Sequence, residues 1–349
     1  MKKLLYFFIV SLIFSSCSDD DNNAPIDSGE KFAMVVCEGI WSQNNSTLSR
    51  INLDSNSVID GYFVTINNLE LGDQAFSIVK NGDHILVTVS NSNKIEVINA
   101  QTGENINTIQ LPDNSFPQKI VLDNGKGYVC LLTGNQIQSF DLNTYELIDT
   151  YQTGPNPSDF EIYNNKIYVV NSAFGVEGAE NGKTIFIIDL TTKEKTIFET
   201  KDNPSEIAID VNNNKLYVTY LGFYMKSNSG VSVFSLDSNL IISDEEYSIT
   251  GRIEVYNGEA YLLAYETDFN KSTLYKLESG LPVVFIERTE NMNRISNFYF
   301  NGDELILFDD YRLQADGKVF FYDTNFNLTQ TYSVGLGPRS ILFYEVSNK

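Results

Sequence analysis

Residues Asn203–Asp237 read NPSEIAIDVNNNKLYVTYLGFYMKSNSGVSVFSLD, and the rest of the chain repeats or completes this pattern. An apolar strand (Ile207 to Ile209) meets an Asn-rich turn; a second strand (Leu216 to Tyr220) meets an irregular loop; a third (Val231 to Leu236) follows. Apolar runs separated by such turns predict one antiparallel sheet per copy. The end of the third strand recurs as Ile51-Asn52-Leu53-Asp54, Ile98-Asn99-Ala100-Gln101, Phe140-Asp141-Leu142-Asn143, Ile188-Asp189-Leu190-Thr191, Phe234-Ser235-Leu236-Asp237, Tyr275-Lys276-Leu277-Glu278 and Tyr322-Asp323-Thr324-Asn325. Successive spacings of 47, 42, 48, 46, 41 and 47 residues suit a four-stranded propeller blade, and there are seven copies.

A second mark, the start of the innermost strand, runs in step with the first. It stands as Ala75-Phe76-Ser77-Ile78, Pro117-Gln118-Lys119-Ile120, Pro157-Ser158-Asp159-Phe160, Pro204-Ser205-Glu206-Ile207, Gly251-Arg252-Ile253, Ile295-Ser296-Asn297-Phe298 and Pro338-Arg339-Ser340-Ile341. Proline suits the first position of a strand, where its missing N–H costs no ladder bond. The two ends are out of phase: Phe32 to Glu38 is second-strand sequence and Ser340 to Val346 is first-strand sequence. The ends must therefore share a blade, and the expected fold is an all-β seven-bladed propeller of four-stranded antiparallel blades closed by the C-terminal strand.

The chain of 349 residues is 42% apolar and carries a formal charge of −22, which becomes 22 Lys+Arg against 46 Asp+Glu once residues 1–16 are set aside. An acidic surface repels phosphate backbones, so no nucleic-acid partner is expected. Lys2 and Lys3 precede an apolar run from Leu4 to Phe14 that is too short to span a bilayer, and Ser15-Ser16-Cys17 follow. Residues 1–16 are read as a signal peptide, 17–30 as an acidic flexible tether (Ser18-Asp19-Asp20-Asp21), and 31–349 as the propeller. Cys37 and Cys130 fall in strand-like runs of different blades, too far apart to bridge, and are expected to be buried thiols.

In this topology short standard turns, such as Asp123-Asn124-Gly125 and Asn257-Gly258, occupy one face of a disc. The opposite face carries the long loops: Glu38 to Ser46 with Trp41, Asn171 to Gly182 with Phe174, Tyr220 to Gly230 with Phe223 and Tyr224, Tyr265 to Ser272 with Phe269, and Asp309 to Gly317 with Tyr311. Trp41, Phe174, Phe223, Tyr224, Tyr265, Phe269 and Tyr311 are the candidate ligand-binding aromatics, since rings converging there would offer a surface to a planar or hydrophobic ligand or to a protein. The alternative is that each tucks beneath its own loop. Arg252, Arg294 and Arg339 are candidates to ring the channel and bind anionic or amide groups, with bonding to local carbonyls as the alternative.

The sole histidine, His84, follows an Asn-Gly turn on the other face, so no His-based triad or zinc pair can form among the long loops. No phosphate loop, paired-cysteine motif or nucleophile elbow is present, and no cofactor or metal is expected; a carboxylate-only mechanism stays open.

Lys215-Leu216-Tyr217-Val218-Thr219 and Ile167-Tyr168-Val169-Val170-Asn171 resemble the Tyr-Val-Thr-Asn repeat of bacterial surface-layer β-propellers. Small residues before Cys17 look like the lipobox of bacterial lipoproteins, which implies lipidation at Cys17, and the acidic run after it resembles the surface-export signal of Bacteroidetes lipoproteins. Together these features are similar to a group of surface lipoproteins, some of which capture cobalamin for a TonB-dependent outer-membrane transporter. The resemblance implies a lipid-anchored outer-membrane protein that binds a small nutrient, with a corrinoid as the named candidate, and a transporter as partner. Two alternatives belong to other classes: a propeller that docks on a transporter or glycan-uptake complex without touching nutrient, and a hydrolase or lyase using loop carboxylates.

Overall fold

A computed structural model describes residues 29–172, 178–223, 227–247, 249–266, 271–278, 281–287 and 292–347. The described residues form seven four-stranded antiparallel sheets arranged as a ring, a seven-bladed β-propeller. Blades are numbered here in chain order from the N-terminal one, and strands within each blade from the channel outward.

The first blade is the composite expected from the phase of its ends. Its innermost strand is Pro338–Val346 and its second is Glu30–Cys37, paired from Glu30↔Val346 to Cys37↔Pro338, with Thr47–Asn52 and Ser57–Ile59 outside. The fourth strand is only three residues long, and a short helix, Tyr62–Asn67, fills the connection to the second blade; the repeat pattern carries no sign of it. The innermost strands of the other blades are Ala75–Asn81, Pro117–Asp123, Pro157–Tyr163, Pro204–Asp210, Ile249–Tyr256 and Asn297–Asn301.

Second strands are apolar on both sides because successive side chains enter different seams. In His84–Val89, Leu86 packs between the second and third blades, while Ile85, Val87 and Val89 pack between the first and second. Seven apolar clusters result among the described residues, one in each seam; that between the seventh and first blades joins Ile306, Phe308 and Phe321 to Ala33, Val35 and Ile341. Each such side chain contributes about 1.5–3 kcal/mol by burial, so the ring is held by its seams and the closing strand completes two of them.

The recurrent polar residue at the end of the third strand has a local cause. Asp141 Oδ1 accepts from Asn143 N and Thr144 N (2.8 and 2.9 Å), and Asp189 Oδ1 and Asn52 Oδ1 make the same pair of bonds in their turns. These are side-chain-capped turns, and the bonds hold the Asp141 and Asp189 carboxyls below the usual range. The Asn-Gly turns use left-handed backbone as expected: φ is 46° and 75° at Asn124 and Gly125, and 51° and 75° at Asn257 and Gly258.

Cys37 and Cys130 are both free and buried. Cys17, Phe174, Tyr224 and Phe269 lie outside the described residues.

Candidate functional site

The connections between second and third strands, with those from blade to blade, make one face of the disc, and their lengths are uneven. Blades two and three have the short connections 90–93 and 132–135, whereas the first and seventh have 38–46 and 310–317. The rim is therefore low over two adjacent blades.

Trp41 stands at the edge of this low stretch. Its loop is pinned at both ends, Ile40 N donating to Asn45 Oδ1 (2.8 Å) and Ser46 Oγ to the Glu38 carbonyl (2.6 Å). The indole is 54% exposed and stacks on Phe116, centroids 5.4 Å apart and planes at 24°. Phe116 precedes the third blade's innermost strand and has φ 49°, uncommon for a bulky residue. Asn93 Oδ1 holds it there by accepting from Ser115 N (2.8 Å) and Phe116 N (3.1 Å). Neighbouring rings usually bury each other; this pair leaves the Trp41 side open to a ligand.

Arg339 and Phe76 form a second group on the channel wall. The guanidinium carbon lies 3.7 Å from the Phe76 ring centroid and Nη1 is 2.9 Å from Glu38 Oε2. Arg339 is thereby held over an aromatic face between two blades.

The remaining candidates build a support. Arg294 pairs with Asp310 through Nε–Oδ1 (2.9 Å) and Nη2–Oδ2 (2.5 Å), and its carbon lies 5.7 Å from the Tyr265 ring, whose hydroxyl donates to the Ser296 carbonyl (2.8 Å). Asp310 Oδ1 also accepts from Arg312 N, and the buried Asp309 accepts from Tyr311 N (2.9 Å) and Asn293 N (2.5 Å). These bonds stabilise three consecutive left-handed residues, Tyr311, Arg312 and Leu313, with φ of 46°, 55° and 59°. Left-handed backbone costs about 1–2 kcal/mol per residue without Gly, which the two aspartates and Arg294 must offset. Burial pushes the Asp309 carboxyl up, against the backbone bonds that pull it down. Tyr311 is half-buried with Lys318 Nζ 5.7 Å from its ring, and Phe223 is half-buried, its N–H donating to Ser227 Oγ.

Arg252 lies deeper, in the central channel, a cavity of about 940 Å³. The residue just before the buried one of each innermost strand is Ser77, Lys119, Asp159, Glu206, Arg252, Asn297 or Ser340, and these make one ring around the channel. The innermost strands of blades two to six each carry a register shift near this point. Such bulges disturb the ladder, and ring side chains take up N–H groups of the next blade. Ile207 N donates to Asp159 Oδ2 (3.1 Å) and Ile253 N to Glu206 Oε2 (3.2 Å), while Asp159 Oδ1 accepts from Phe160 N (2.9 Å). Lys119 Nζ bridges Asp159 (3.0 Å) and Glu161 (2.8 Å), and Arg252 holds Glu254 through Nη2 (2.9 Å) and Nε (3.2 Å). Burial and then the charge of Asp159 push the Glu206 carboxyl up; burial lowers Lys119, but its two carboxylates outweigh that and raise it.

The structure thus places Trp41, Arg339 and Tyr311 on the loop-rich face, Arg252 in the channel, and Tyr265 and Arg294 beneath the seventh blade's loop. Sequence reasoning missed Phe116, Phe76 and, apart from Arg252, the charged ring. His84 hydrogen-bonds Tyr145 Oη at the turn face, away from these groups.

No family model and no curated protein matches the chain. Solved structures do. A quinoprotein alcohol dehydrogenase-like protein of Bacteroides thetaiotaomicron is similar over 91% of this chain and 78% of its own, with TM-score 0.63 and 14% identity. Virginiamycin B lyase of Staphylococcus aureus is similar over 78% of this chain and 91% of its own (TM-score 0.57, 17% identity), and a Lactobacillus plantarum protein over 90% and 100% (0.64, 10%). Identities this low define the class, β-propeller, and propellers host unrelated activities.

Proposed function

We propose that this chain is a non-enzymatic, ligand-binding propeller lipoprotein, anchored through Cys17 at the outer face of the outer membrane, that captures a small nutrient for a TonB-dependent transporter. A corrinoid such as cobalamin is the candidate ligand. The reading is carried by one observation: Trp41, exposed and stacked on Phe116, forms an aromatic platform on the loop that also supplies Glu38 to Arg339, which lies over Phe76. Apolar rings with a fixed guanidinium beside them suit a large planar ligand bearing amide groups. Trp41 is the only tryptophan, so its emission reports directly on the site. Saturable quenching by cobalamin supports the proposal. No change with cobalamin or any related tetrapyrrole removes the corrinoid.

A second reading, a hydrolase or lyase working through carboxylates, is favoured by the Asp159–Glu206 pair. Burial and the charge of Asp159 push the Glu206 carboxyl up, the direction a general acid needs, and Lys119 Nζ stands 3.0 Å from Asp159 Oδ1 beside it. Turnover lost in Glu206→Gln, with Trp41→Ala active, would select it over capture.

A further inference from the structure

We propose that the central channel is a binding site for an organic ammonium ion carried on an apolar body, with the ammonium held against Glu206 and Asp159. The rim proposal is not needed for it, since the residues are different.

The channel wall is two-sided. From the third to the sixth blade it presents the carboxylates Asp159, Glu161, Glu206 and Glu254 against the cations Lys119 and Arg252, so two carboxylates are in excess. Lys119 is committed to Asp159 and Glu161, and Arg252 to Glu254. Glu206 accepts a backbone N–H at Oε2 and is the carboxylate with least direct pairing in the cluster. The facing wall is apolar where Phe76, Ile78, Tyr299 and Leu342 line it. Arg339 there is tied to Glu38, and Lys80 lies nearer the turn face.

This arrangement discriminates between ligand classes. An anion would meet a wall of excess negative charge whose cations are already paired. Among the described residues no group of three or more His, Cys, Asp and Glu is placed to hold a metal ion, whereas an ammonium has three donors and needs only two or three acceptors. An incoming ammonium beside Glu206 favours the ionised carboxylate, opposing the burial that pushes this carboxyl up. The facing apolar arc takes the body of the ligand, and the net charge of −22 attracts cations to the molecule.

Calorimetry on the full chain with tyramine, and with 4-ethylphenol as its neutral counterpart, tests this. Tyramine should bind about tenfold or more tightly than 4-ethylphenol. Glu206→Gln should weaken tyramine about tenfold, and Trp41→Ala should leave it unchanged. Should Glu206→Gln fail to fold, Glu254→Gln removes a carboxylate whose bonds go to Arg252 in its own strand and should weaken tyramine severalfold. Equal affinity for the two probes, or folded variants that bind tyramine like the unsubstituted chain, overturns the proposal. Cobalamin binding without tyramine binding would overturn it alone, and the reverse would overturn only the corrinoid.

Discussion

Asp159 offers the sharpest test of how adjacent blades are clasped at the channel. Replacing it with alanine takes the acceptor from two N–H groups, Ile207 at 3.1 Å in the next blade and Phe160 at 2.9 Å in its own. Each unsatisfied buried donor costs about 1–3 kcal/mol, so the two together cost about 2–6 kcal/mol. Lys119 adds little to this sum because Glu161, 2.8 Å away, still pairs it. Unfolding entropy scales with length, and for a domain of about 300 residues 1 kcal/mol moves Tm by about 1.5 °C, giving a fall of about 3–9 °C. The comparison is Asp149→Ala, which removes a carboxylate bonded to Lys193 (2.7 Å) on the exposed outer strand; such surface pairs contribute about 0–1 kcal/mol. Differential scanning calorimetry on both variants decides. If Asp159→Ala melts within a degree or so of Asp149→Ala, the ring side chains do not clasp the blades.

Four further outcomes follow from the same geometry. Deleting Pro338 to Lys349 removes the innermost strand of the first blade and should give an aggregating product; a truncated chain that stays monodisperse in gel filtration and melts like the full one refutes closure there. Glu206 binds its proton more tightly in the native chain than an ordinary glutamate, so its contribution to stability falls as pH rises from the usual glutamate range through its raised native value; Glu206→Gln should flatten that slope in urea midpoints, and an unaltered slope counts against the raised carboxyl. Asp310→Asn breaks the fork with Arg294 and should cost about 2–4 kcal/mol with faster amide exchange at residues 311–313; unchanged exchange would show that the left-handed turn holds itself. Burial pushes the Cys37 thiol up to about 12 and Cys130 well above its ordinary value, so neither should react with Ellman's reagent until denaturant is added, and rapid labelling of the native chain would contradict their burial.

The ring was legible because its devices are local and repeated. Asp141, Asp189 and Asp323 mark third-strand ends since each carboxylate takes up backbone N–H groups in its turn, a bond that needs nothing distant. The displaced phase of Phe32 and Ser340 was enough to foresee their shared blade. Trp41 could be assigned to the loop-rich face from topology, but its stacking partner could not, because Phe116 reaches it from the connection between two other blades. Arg294 reads from sequence either as a ligand contact or as a locally bonded residue, and it is engaged with Asp310; residue type and position alone do not separate the two. The charged ring was in view all along as the residue before each buried Ile or Phe of the innermost strand. Lys119, Asp159 and Glu206 read as strand chemistry because they join Arg252 in one cluster only when neighbouring blades are set side by side. The left-handed turn at Tyr311–Leu313 carries neither Gly nor Asn, so no turn signal announces it.

The point at which the chain joins the disc has a consequence for orientation. Glu30–Cys37 starts at the turn face, where Lys31 N donates to Asp54 Oδ2 in the third-to-fourth turn of the same blade, and it ends at the face that carries Trp41. The described chain therefore enters the ring on the turn face. A molecule arriving at Trp41 meets the disc on the side opposite residue 29.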